Sequence, residues 1–158
     1  MISAVNSGDI KQLAKIIDRI AKNLPYGISK LLGERGSLTQ EERGFILWQL
    51  RDGDGVHVAH DVDVSKLANE AITNVMELGV LDSVGWDKVT QATRLYAQEF
   101  PQAWKTYTEY ITFRGLPRFQ GQRGVVEKIS DDLHISRTTV YENIKHVPRN
   151  IAILALRI

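Results

Sequence analysis

Apolar residues recur at spacings of three and four along most of the chain, the repeat that lines one face of a helix. The first such run, Asp9 to Leu24, places Ile10, Leu13, Ile16, Ile17, Ile20 and Leu24 on one side, and Pro25 ends it. A short apolar piece, Ile28 to Leu32, follows before Gly33 and Gly36. Thr39 and Glu42 form a capping-box pattern, in which each side chain satisfies the other residue's free backbone N–H. That pattern predicts a helix from Gln40 to Arg51 burying a subset of Phe45, Ile46, Leu47, Trp48 and Leu50. Asp52-Gly53-Asp54-Gly55 breaks it. Val56, Val58, Val62 and Val64 alternate, as in a short extended segment or hairpin. Ser65 then caps a helix with the stripe Leu67, Ala68, Ala71, Ile72, Val75 and Met76, and Gly79 is its expected stop. Trp86 to Phe100 carries Val89, Ala92, Leu95, Tyr96 and Phe100. Pro101 suits the first position of the next helix, which presents Trp104, Tyr107, Tyr110 and Ile111. The expected fold class is all-α.

A change of composition follows. Phe113 to Gly124 reads FRGLPRFQGQRG, a basic stretch rich in glycine and arginine. It divides the chain into a helical body, 1–113, for oligomerisation or partner binding, a linker, 114–124, and a C-terminal module, 125–158. The module opens VVEKISDDLHISRTTVYENIKHV and reads as a helix-turn-helix. Two helices crossing steeply over a three-residue turn need apolar residues at few, fixed offsets. Ile129 and Leu133 face inward from the first helix, Ser130 is small at the close crossing, and Ile135 fills the turn. Ser136 caps the second helix. Val140, Ile144 and Val147 then recur toward the first helix.

This leaves an outward face of Arg137, Thr138, Tyr141, Glu142 and Lys145 for the major groove of double-stranded DNA. Ser136 stands where a helix N-terminus grips phosphate. Arg149, just past Pro148, is placed for another phosphate, and Arg118 and Arg123 sit on a linker arm able to follow the backbone. Two residues depart from the motif. His134 stands at the turn position that favours positive φ, where glycine is commonest, and Asn143 stands where a second buried residue is usual. Pro148 is expected to keep the second helix short. The apolar end, PRNIAILALRI, calls for more than one packing partner: the body, or a second copy of the chain.

Charge agrees with this division. Residues 1–113 carry 12 Lys/Arg against 15 Asp/Glu, and residues 114–158 carry 8 against 4. The basic end is the end that would meet an anion.

The stretch from Lys128 to Lys145 resembles the C-terminal helix-turn-helix of phage late transcriptional activators of the RinA and ArpU kind, and is similar to sigma-factor region 4. Asp131-Asp132-Leu133, Ile135-Ser136, Thr139-Val140 and Lys145 carry the resemblance. It implies promoter-proximal DNA binding and contact with RNA polymerase, and it says nothing of residues 1–112.

Other chemistry fits poorly. The chain has no cysteine, which excludes disulfides, thiolate zinc sites and a cysteine nucleophile. His57, His60, Asp61 and Asp63 cluster as metal ligands do. A metal-dependent phosphohydrolase of the HD type needs a histidine well upstream, and none precedes His57. Asp52-Gly53-Asp54-Gly55 begins like a calcium loop, but Val56 stands at the third ligand position. No glycine-rich phosphate loop and no nucleophile elbow is present. No apolar run reaches the ~18 residues of a membrane span, and Met1 to Asp9 lack a basic-then-apolar leader.

The expectation is a non-enzymatic, cytoplasmic, sequence-specific DNA-binding protein, a transcriptional regulator without cofactor, working as a homodimer or higher homo-oligomer. The alternatives are a module that binds a host protein, and a DNA-recognition subunit in phage packaging or replication.

Overall fold

In the computed structural model the chain is described over residues 7–52, 78–116 and 121–158. Among these residues every regular element is a helix. α1 (Ser7–Asn23), α2 (Gly27–Leu31) and α3 (Gln40–Asp52) come first. The helical residues 78–84 (α4) follow, then α5 (Trp86–Glu99), α6 (Pro101–Arg114), α7 (Gly121–Leu133) and α8 (Arg137–Arg157). The all-α expectation holds. The extended segment at 56–64, the helix stripe at 67–76 and the His57–Asp63 cluster lie outside the described residues.

α1 is a core helix of the body, packed against α2, α3 and α8. Leu13, Ile16, Ile17 and Ile20 are fully buried and Ala21 nearly so. Asp9 in its first turn and Lys22 in its last match the helix dipole. The chain then reverses sharply at Pro25-Tyr26. Gly27 has to be glycine, because a Cβ there would run into the Ile20 carbonyl. α2 and α3 pack on α1. The capping box forms as expected: the Thr39 N–H donates to Glu42 Oε1 at 2.9 Å, and the Glu42 N–H donates to Thr39 Oγ1 at 3.2 Å. Glu42 also holds Lys30 Nζ at 2.7 Å, pinning the buried Lys30 of α2 to the start of α3. α3 buries Ile46 and Leu50 and leaves Phe45 and Trp48 exposed.

Pro101 does open α6, directly after α5, with Phe100 between them. Gly79 does not stop its helix. Residues 78–84 stay helical with Leu78, Val80 and Leu81 buried, so packing carries the backbone past the glycine, and the turn falls at Gly85, φ 94°.

The largest departure is α8. Pro148 was expected to end it, yet it runs 21 residues to Arg157 with Pro148 inside. An interior proline lacks the N–H that would reach the carbonyl four residues back, at a cost of ~3 kcal/mol. Beyond it lie Ile151, Ala152 and Ala155, all buried, with Val147 just before. A fully buried isoleucine alone contributes roughly 1.5–3 kcal/mol, so the group offsets the lost bond. The apolar tail therefore packs inside this chain, against α1, α5 and α6.

Candidate nucleic-acid interface

A second, smaller core lies beside the first. Tyr110, Val125, Val126, Ile129, Val140 and Ile144 meet in it, with Ile111, Phe113, Leu133 and Ile135 partly buried around them. It is built by α6, α7 and the first half of α8, a three-helix unit whose last two members are the helix-turn-helix. Val147, expected in this core, belongs to the larger one. Tyr110 is the residue that sequence reasoning missed. It sits three positions after the buried Tyr107, so one helix serves both cores. Helix α7 also begins earlier than the linker reading allowed. Residues 121–124 are helical, because the buried Val125 and Val126 anchor a first turn whose N–H groups need no helical partner.

The turn takes the expected geometry. His134 has φ 56°, the left-handed region that histidine enters more readily than most side chains. Ser130 closes the turn twice: its carbonyl accepts the Ile135 N–H at 3.2 Å, and its hydroxyl donates to the Ile135 carbonyl at 2.6 Å. Ser136 adopts extended backbone and caps α8, its Oγ accepting the Thr139 N–H at 3.1 Å. The two hydroxyls of Ser136 and Thr139 also bond at 2.8 Å.

From this cap, Arg137, Thr138, Tyr141, Glu142, Lys145, His146 and Arg149 all emerge exposed. Val140, Ile144, Val147 and Ile151 are buried on the opposite side. Thr138, Glu142, Lys145 and Arg149 thus stand together on one outer face and His146 joins them, while Tyr141 flanks it and Arg137, at the helix start beside the Ser136 cap, lies toward α7. Lys145 and Arg149 face one carboxylate, Glu142, along it, so the stripe is net positive. Arg137 leans back to Glu127 of α7 at 3.6 Å, a contact between two exposed side chains. Exposed pairs of this kind hold for ~1 kcal/mol or less, leaving the guanidinium able to exchange partners. Asp131 and Asp132 are exposed at the end of α7, and Lys128 pairs with Asp132 at 3.0 Å. Arg123 lies in the first turn of α7, and Arg118 lies outside the described residues. Arg114 is not on a free arm: it ends α6 and donates to the Lys22 carbonyl of α1 at 3.5 Å.

A concavity of ≈ 480 Å³ lies between the Gly33–Ser37 loop and α5. Arg94 on its wall is committed to the Leu32 carbonyl at 3.0 Å, and the Trp86 indole donates to the Gly36 carbonyl at 3.2 Å. Ser37, Asp87 and Thr90 also line it, the Thr90 hydroxyl donating to the Asp87 carbonyl at 3.0 Å, and no histidine does. Among the described residues no group of three or more metal-ligating side chains stands together, and no helix is long and apolar enough to cross a membrane.

No protein family, curated protein or solved structure matches the chain.

Proposed function

We propose that this protein binds double-stranded DNA in a sequence-specific way and acts as a transcriptional regulator, with the first turns of α8 seated in the major groove. One observation carries the reading: the helix-turn-helix geometry, including the left-handed His134 and the Ser136 cap, leaves a continuous, net-positive polar stripe on the second helix. The N–H groups of Arg137 and Thr138 have no acceptor within α8, so they suit a phosphate at the groove edge. Lys145 and Arg149 reach phosphate or guanine, and Thr138, Tyr141 and Glu142 meet base edges.

The resemblance to phage late activators supports a contact with RNA polymerase, in the cytoplasm; the body, 1–113, is the part of the chain left to make it. A homodimer would present two such helices to two half-sites. It would meet through the body, because the apolar tail is buried within its own chain.

Fluorescence anisotropy against a duplex of random sequence, over a salt series, tests the proposal with the wild type beside Lys145→Ala. Affinity should fall steeply with salt, and the variant's slope should be shallower by about one phosphate. Absence of binding at low salt would overturn the reading and point to a protein-interaction module.

A further inference from the structure

The exposed stripe of α8 has a carboxylate at its centre. Taking the buried row Val140, Ile144, Val147 and Ile151 as the inward direction, and ~100° per residue, Glu142 and Arg149 fall within about 10° of the outermost line. Thr138 and Lys145 fall on either side of Glu142 along the helix, one turn away. Among the described residues neither Lys145 nor Glu142 has an ion-pair or side-chain hydrogen-bond partner.

Such a placement is unfavourable beside a polyanion. Glu142 on this line faces repulsion from phosphates on both strands, and that repulsion lowers affinity for DNA in general. Inside the major groove, the carboxylate meets base edges instead. It accepts hydrogen bonds and donates none. Guanine offers N7 and O6, and thymine offers O4, all acceptors that repel it. Adenine pairs its amino group with the acceptor N7. Cytosine offers its N4 amino group.

Resting on the DNA-binding reading above, we infer that Glu142 is the specificity determinant of the interface, selecting a cytosine at the middle of the half-site through its N4 amino group. Arg137, Lys145 and Arg149 supply the phosphate attraction, and Glu142 makes most sequences unwelcome. Its contribution is discrimination against wrong sites rather than tighter binding.

The test uses the full chain, wild type and Glu142→Gln. Each is taken through selection from a randomised duplex pool, followed by anisotropy on the selected site and on its single-base variants. The wild-type site should contain one cytosine whose replacement weakens binding roughly tenfold. In Glu142→Gln that position should lose its preference or move to adenine, which glutamine reads through N6 and N7. The other positions should keep theirs, and affinity for random duplex should rise. Glu142 is exposed, so the variant should keep the wild-type thermal midpoint. Unchanged cytosine preference in Glu142→Gln, or an even loss at all positions, overturns this assignment while DNA binding stands. A wild type that binds no duplex at low salt overturns both.

Discussion

Replacing Pro148 by alanine tests whether the proline is tolerated or required inside α8. Alanine would restore an N–H to bond the Ile144 carbonyl and would remove the ring from the backbone of the preceding turn, worth up to ~3 kcal/mol. Against this, Pro148 is buried. Two ring methylenes would leave the interior at about 0.8 kcal/mol each. The unfolded chain would also regain freedom worth roughly 0.4–1 kcal/mol. The balance lies within about 1 kcal/mol of zero, on the stabilising side. Urea denaturation followed by far-ultraviolet circular dichroism reads this directly: the midpoint should stay equal or rise slightly with an unchanged slope. DNA affinity should stay within about twofold, because Pro148 is buried away from the stripe. A loss above about 2 kcal/mol would refute the reasoning and make the ring a required packing element.

Two further predictions concern ion pairs and buried polar groups in the body. Burial pushes the Glu42 carboxyl up, but the Lys30 hydrogen bond, the Thr39 N–H and the Lys30 charge together outweigh it and hold the group below its usual value. Its folded pKa is therefore depressed, so its stabilisation is complete above the ordinary carboxylate range near 4.3 and is lost as the pH falls through the lowered value. Glu42→Gln should lower stability at pH 7 by roughly 1–2 kcal/mol. The gap between variant and wild type should narrow toward pH 3, and a gap independent of pH would contradict the assignment. Tyr107 is fully buried and donates to Asp18 Oδ1 at 2.7 Å. Burial first, then the Asp18 charge and hydrogen bond, raise its phenol well above the ordinary value, so its contribution is present below about pH 10 and is lost as the pH climbs further. Tyr107→Phe should cost roughly 1–2 kcal/mol. In the folded wild type one tyrosine should resist alkaline ionisation until unfolding, as followed by phenolate absorbance, and its free titration would count against the burial.

Local signals were legible where local chemistry decides. The Thr39–Glu42 box, Pro101 at a helix start and Ser136 as a cap involve residues within three or four positions of one another. Each stands where the spacing put it. The outer stripe of α8 was equally readable, because a buried row of Val140 and Ile144 leaves only one set of exposed neighbours. Reading failed where distant packing overrules a local preference. Gly79 and Pro148 are stop signals by propensity, yet both lie in helices held by residues buried against other elements. Tyr110 looked like one more residue in an aromatic stripe, and only the fold shows that it closes the smaller core. The carboxylate at Glu142 was visible as one exposed residue among several, but its central place needed the buried row to define the inward direction.

Because α8 begins in the smaller core, the head, and finishes as a wall of the body's core, the two halves share one helix, interrupted only by the bond that Pro148 cannot make. Head and body should then melt in a single transition and show the same protection from hydrogen exchange along the whole length of α8. A fragment ending near residue 147 would strip the body of Ile151, Ala152 and Ala155 while leaving the head without its anchor. The exposed first half of α8 is aimed by the interior of the body itself, so any partner that repacks α1 or α5 would turn it without touching it.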